Sequence, residues 1–126
     1  MNNNETDWPM YVNGNGIVWN VKPRPEELPT KREIELCEQW IKKFMIPTQT
    51  LIKKSSSYNL KKKVEGYYER YISNGAFIRA AINCGYKIGV TNINAWFNMN
   101  QKRWKEYQKE QRIQEVNAYK QQLRRK

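Results

Sequence analysis

Histidine is absent from the chain, and cysteine occurs twice, as Cys37 and Cys84, in different segments. Without imidazole there is no histidine general base. A zinc site needs about four ligands from Cys, His or carboxylate, so zinc is not expected. Acidic residues are scarce where they would matter for a metal-dependent nuclease: residues 51–126 hold five Asp/Glu, mostly at exposed helical spacings. Glu26 and Glu27 stand side by side after Pro25 and form no larger cluster. No P-loop or dinucleotide glycine pattern occurs, because the "GNG" at 14–16 has no helix after it. These gaps point to a chain that is not an enzyme and carries no cofactor. No stretch approaches about 20 apolar residues, so no membrane span is expected. "MNNNETDWPM" lacks the positive start and apolar run of a signal peptide. Cytoplasmic location with both thiols reduced is the simplest expectation.

The abundant features are basic charge and aromatic rings. The formal net charge is +11, and Trp, Tyr and Phe make up 13% of 126 residues. Charge is unevenly placed. Residues 1–50 carry six Lys/Arg against seven Asp/Glu, while residues 51–126 carry 17 against five. Such asymmetry points to a polyanionic partner for the second part, nucleic acid before an anionic membrane. The bland alternative is a solvated surface.

Local patterns predict a mainly α fold, helix-turn-helix-like, with a short N-terminal β-hairpin arm and a long C-terminal helix. "MYVNGNGIVWNV" has apolar residues flanking Asn-Gly turns, which predicts a hairpin of residues 9–13 with 16–21. Its rings Trp8, Tyr11 and Trp19 either pack on the helical body or wait for a partner. Three prolines in "KPRPEELP" make a stiff linker, closing an N-terminal segment 1–29. "TKRE" fits a capping box with Thr30 as N-cap and Glu33 reaching back. A helix over 31–45 follows, with Ile34, Cys37, Trp40, Ile41 and Phe44 on one face. Pro47 ends it, and a short strand at 50–52 is an option. A second helix starts near Ser57 and buries Leu60, Val64, Tyr67, Tyr68 and Tyr71. Ser73 or Asn74 caps a third, and Gly85 stops it. Thr91 or Asn92 caps the last helix. The body ends near residue 105, and 106–126 is a basic extension that projects, folds back or pairs with a second copy as a homodimer.

The sequence "WFNMNQKRWK" is similar to the third-helix signature of homeodomains, W-F-Q-N-R-R-x-K-W-K, through Trp96, Phe97, Arg103, Trp104 and Lys105. Helices near 58–70, 76–84 and 90–106 would fall where that fold places them. The family's adenine-reading Asn falls on Met99, and its two arginines on Asn100 and Gln101. The resemblance implies a groove-reading helix. Asn98, Asn100 and Gln101 would then meet bases, with Lys102, Arg103 and Lys105 on phosphates. Apart from the resemblance, the lysine-rich stretch Lys53, Lys54, Lys61, Lys62 and Lys63, with Arg70, Arg79 and Lys87 nearby in sequence, offers a second set of phosphate contacts. Tyr58, Tyr67 and Tyr86 could stack on unpaired bases or be buried at helical spacing.

A longer stretch resembles small uncharacterised proteins of bacteriophages and mobile elements. Their pattern runs Y-x-L-K-x-x-x-E, then Y-V/I-S-N-G-x-F-I-x-A-A, then G-Y, then N-x-F-N. It is matched by Tyr58, Leu60, Lys61, Glu65, Tyr71, Ser73, Asn74, Gly75, Phe77, Ile78, Ala80, Ala81, Gly85, Tyr86, Phe97 and Asn98. The resemblance implies a phage or mobile-element setting in a bacterial cell. Two functions follow as expectations. One is a non-enzymatic protein that binds DNA or RNA in transcription control, replication control or packaging. The other is a phage-encoded inhibitor of a host defence protein or its nucleic-acid complex, anti-CRISPR or similar, with Trp8, Tyr11, Trp19 and Trp40 as protein-binding anchors.

Overall fold

The computed structural model describes residues 10–19 and 22–124. Of Met10, Trp19 and Thr91 only the backbone is described. Strands β1 (Met10–Asn13) and β2 (Gly16–Trp19) form an antiparallel hairpin with Asn13 opposite Gly16. The Asn13 side chain shapes the turn by accepting from Asn15 N and Gly16 N at 2.8 and 3.1 Å. A single 3-10 turn (Pro25–Glu27) leads to α1 (Lys31–Phe44), β3 (Ile46–Ile52), α2 (Ser57–Tyr68) and α3 (Asn74–Asn83). Strands β4 (Ile88–Thr91) and β5 (Asn94–Asn100) follow, then α4 (Lys102–Arg124). The second sheet runs β3-β5-β4, antiparallel throughout.

The four helices, the N-terminal hairpin and the long last helix agree with the pattern expected from sequence. The three-stranded sheet does not, and it corrects the helix-turn-helix expectation. Residues 94–100 are strand, so the homeodomain-like third helix is replaced by a β-hairpin and a later helix. Neither Thr91 nor Asn92 caps a helix. Asn92 instead takes a left-handed φ of 55° in the two-residue turn between β4 and β5. Pro47 does not end α1. The helix closes at Phe44, and Pro47 pairs with Met99 inside β3.

The three helices of the body start on side-chain caps. Thr30 accepts from Glu33 N at 3.2 Å, Ser56 from Asn59 N at 3.5 Å and Ser73 from Ala76 N at 3.1 Å. Each satisfies an amide that the first turn cannot pair internally. The Glu33 carboxylate does not close a capping box. It reaches 40 residues along the chain and accepts from Ser73 N at 2.8 Å, tying the start of α1 to the start of α3. Gly85, with φ 89°, turns the chain out of α3, where a side chain would be strained.

The core is aromatic. Trp40 meets Phe44, Phe77 and Trp104 at ring-centre distances of 5.8, 6.0 and 5.1 Å, tilted or edge-on as ring quadrupoles favour. Trp104 and Tyr107 bring the first turns of α4 onto Phe44 and Tyr67. Past Lys109 the described part of α4 is exposed, apart from a half-buried Gln111.

The N-terminal hairpin is seated on this body. Among its described side chains, Val12 and Ile17 are buried. Gly14 N donates to Glu27 O, Gly75 N to Gly14 O and Ile17 N to Ile93 O, at 2.8, 3.2 and 2.9 Å. A Cβ at Gly75 would collide with the Asn13 carbonyl, so glycine permits this approach.

Candidate nucleic-acid interface

The connection after β3, the middle of α2 and the β5–α4 junction enclose a groove of about 610 Å³. Five lysines line it: Lys54, Lys63, Lys102, Lys105 and Lys109. Glu106 is the one carboxylate in the lining among the described residues. The walls are fixed by short bonds. Gln101 Nε2 donates to Ser55 Oγ at 3.0 Å, joining the loop to the start of α4. Asn100 Oδ1 accepts from Lys102 N at 2.6 Å and occupies one of that helix's unpaired amides.

The electrostatics of the groove run against stability. Proteins usually set Asp or Glu in the first turn of a helix, where the backbone dipole is positive. Here the first turn of α4 has no acid and carries Lys102, Arg103 and Lys105. Positive charges at that pole are unfavourable. Burial, and then the neighbouring Lys105 charge, hold the Lys63 ammonium below its ordinary 10.5. An anion placed there would offset both effects, since its oxygens would accept from ammonium and backbone donors alike.

The residues expected from sequence divide sharply. Lys63, Asn100, Gln101, Lys102 and Lys105 come together in the groove. Lys62 is exposed on the ridge of α2. Arg103 is exposed and lies toward Tyr86; burial and Cys84 push that phenol up, and Arg103 opposes them. Lys61 is buried and paired with Glu65 Oε2 at 3.1 Å, which corrects its expected phosphate contact. Arg79 lines a separate cleft with Glu35 and Glu38.

Asn98 is a second correction. It is buried, with Oδ1 accepting from Lys87 N at 2.6 Å and Nδ2 donating to Thr48 O at 2.8 Å. Its amide bridges β5 to β3 and to the residue just before β4, where the β3 register is irregular, and it has no free edge for a base. Trp40 is a third: it is fully buried and cannot anchor a partner. Tyr11 is half-buried on β1. Trp8 and the Trp19 side chain lie outside the described residues.

Lys109 was not among the expected residues, yet its signal was present. Lys102, Lys105 and Lys109 are spaced three and four apart, which places them on one helical face. Tyr67 is packed among aromatic rings, whereas Tyr58 is exposed. Cys37 is buried, and burial followed by the Glu33 and Glu38 charges pushes its thiol well above the usual range. Such a thiol is a poor nucleophile. Among the described residues there is no group of three His, Cys, Asp or Glu able to hold a metal ion, and no helix long and apolar enough to cross a membrane. Comparison with protein-family models, with curated proteins and with solved structures returned no match.

Proposed function

We propose that this chain is a small non-enzymatic nucleic-acid-binding protein that holds a phosphate backbone in the five-lysine groove. The observation that carries the proposal is the convergence of Lys54, Lys63, Lys102, Lys105 and Lys109 around one concave surface with a single carboxylate among the described residues. Burial first, and then the Lys105 charge, disfavour the Lys63 ammonium there, a cost that a bound polyanion would offset. Phosphate contact of this kind is largely indifferent to sequence. Specificity would come from Asn100 and Gln101 at the groove wall, through the amide oxygen and nitrogen not already engaged there. The phage-like pattern in residues 58–86 favours a role in transcription control, replication control or packaging within a bacterial cell.

The test compares wild type with the Lys102→Ala, Lys105→Ala pair on labelled duplex DNA, single-stranded DNA and RNA by fluorescence anisotropy. Both residues are exposed, so folding is preserved. The proposal expects a loss of about ten-fold or more on every nucleic acid that wild type binds. Equal affinity of the two proteins refutes it.

A second reading rests on a different surface. The outer part of α4 exposes Ile113, Val116, Tyr119 and Leu123, each slightly more than half accessible. Their spacing of three, three and four puts them in one stripe. Such a stripe fits an inhibitor docking on a host defence protein, or a second copy of this chain. Ile113→Ser with Leu123→Ser would abolish activity under this reading and leave nucleic-acid binding intact.

A further inference from the structure

A third cleft, of about 490 Å³, opens beside α2 between the first hairpin, the start of α3 and the β4–β5 turn. Around the helix, Tyr58 is roughly 140° from Lys63, so α2 separates this cleft from the lysine groove. Its rim carries three large side chains left in solvent: Tyr58 at 46%, Tyr71 at 65% and Ile93 at 46% accessibility. The two rings are held around one cation. Lys61 Nζ lies 5.0 Å from the Tyr58 ring centre and 5.2 Å from that of Tyr71. Glu65 fixes that ammonium, and the same Glu65 Oε2 accepts from Ile72 N at 3.1 Å, which pins the chain beside Tyr71. Lys62 Nζ stands 5.0 Å from the Tyr58 ring centre.

Among the described residues no carboxylate lines this cleft; its polar lining is mostly asparagine. Asn74, buried at its base, spends its Nδ2 on Asn15 O and Asn94 Oδ1, both at 2.9 Å, while its Oδ1 has no donor among the described residues. Lys61, neutralised by Glu65, holds the rings, and the exposed Lys62 supplies the positive charge beside them. Exposed rings, that ammonium and nearby amides make a surface suited to flat, hydrogen-bonding, anion-bearing ligands. An apolar protein segment would gain little from Lys62 and the amides, and an acidic one would leave the rings without specific partners.

We infer that Tyr58 and Tyr71 form a base-stacking site for single-stranded nucleic acid, with Lys62 leading the backbone over α2 to the lysine groove. This rests on the nucleic-acid reading above and narrows its ligand class to unpaired strands. Stacking needs the face of a base, which a duplex hides, and it tolerates any sequence because every base has one.

The test uses the full chain with oligo-dT, oligo-U and a duplex of equal length, by fluorescence anisotropy. Tyr58→Leu with Tyr71→Leu should lower single-strand affinity about ten-fold or more and leave duplex affinity unchanged. Tyr58→Phe with Tyr71→Phe should bind as wild type does. A 5-bromouracil strand should photo-crosslink to Tyr58 or Tyr71. Should the double leucine variant misfold by circular dichroism, Tyr71→Leu alone carries the same expectation. Undiminished single-strand affinity in the leucine variants, beside a loss in Lys102→Ala, Lys105→Ala, overturns the stacking site and leaves the groove standing. Absence of binding by wild type to all three probes overturns both.

Discussion

Replacing Asn98 with alanine separates a fold residue from a base-reading residue. The homeodomain resemblance puts Asn98 on a recognition helix, whereas in the fold it bridges β5 to β3 and to the residue just before β4. Alanine removes a 2.6 Å bond from Lys87 N and a 2.8 Å bond to Thr48 O. It also leaves both backbone groups to find water beside a buried position. An unsatisfied group costs about 1–3 kcal/mol. Thr48 is half-buried and Lys87 exposed, so the lower half of that range applies to each. The expected loss is about 2–4 kcal/mol in total. Unfolding entropy of about 2.1 cal/mol/K per residue makes 1 kcal/mol worth roughly 4 °C for a chain of this size. The melting temperature should therefore fall by about 8–15 °C. Urea unfolding followed by circular dichroism gives the stability, and anisotropy at a temperature where the variant is folded gives the affinity. Stability within about 0.5 kcal/mol of wild type, with nucleic-acid binding lost, would refute the assignment and return Asn98 to the interface.

Other outcomes follow from individual contacts. Gly75→Ala drives a methyl into the Asn13 carbonyl and should cost about 1–3 kcal/mol in urea unfolding, with faster hydrogen exchange across the first hairpin. For Lys63 the sign is set by its lowered value: the charged form is disfavoured in the folded state at neutral pH, and the strain is relieved as pH rises through the folded value toward 10.5. Lys63→Met should therefore leave stability at pH 7 unchanged or raised while weakening nucleic-acid binding, as read by paired melting and anisotropy curves. Bound phosphate draws that ammonium back up, so wild-type affinity should fall as pH rises toward 10.5. Truncation after Glu110 removes the exposed stripe and should leave the urea midpoint nearly unchanged. Sedimentation of the two lengths shows whether the stripe pairs copies of the chain.

Most helices were legible because their signals were local. Thr30, Ser73 and Gly85 mark ends by side-chain capping or backbone permissiveness, and Leu60 with Val64 or Trp40 with Phe44 repeat at helical spacing. The error at 94–100 came from two periodicities in one string. Ile93, Trp96 and Phe97 fit a helix, and the following basic run extends that pattern. Ala95, Phe97 and Met99 also alternate with Asn94, Asn98 and Asn100, which is the period of a half-buried strand. The strand is what forms, because β5 pairs on both edges and Asn98 satisfies backbone across the irregular register. Neither pairing is visible from local sequence. The same limit hid the groove. Lys102, Lys105 and Lys109 share a helical face in the sequence, but Lys54 and Lys63 join them only through the fold. Lys61, Lys62 and Lys63 look equivalent in a row. Helical geometry sends Lys61 to Glu65, Lys62 to the ridge and Lys63 to the groove.

The salt dependence of binding tests the polyanion groove most directly. Each neutralised phosphate contributes about −0.9 to the slope of log affinity against log salt on duplex DNA and about −0.7 on a single strand. Five groove lysines fully engaged give a single-strand slope of roughly −3.5. Removing Lys102 and Lys105 should make it shallower by about 1.4. That pair of slopes is the predicted result. A wild-type slope near zero, or one that the double variant leaves unchanged, would contradict the assignment of the groove.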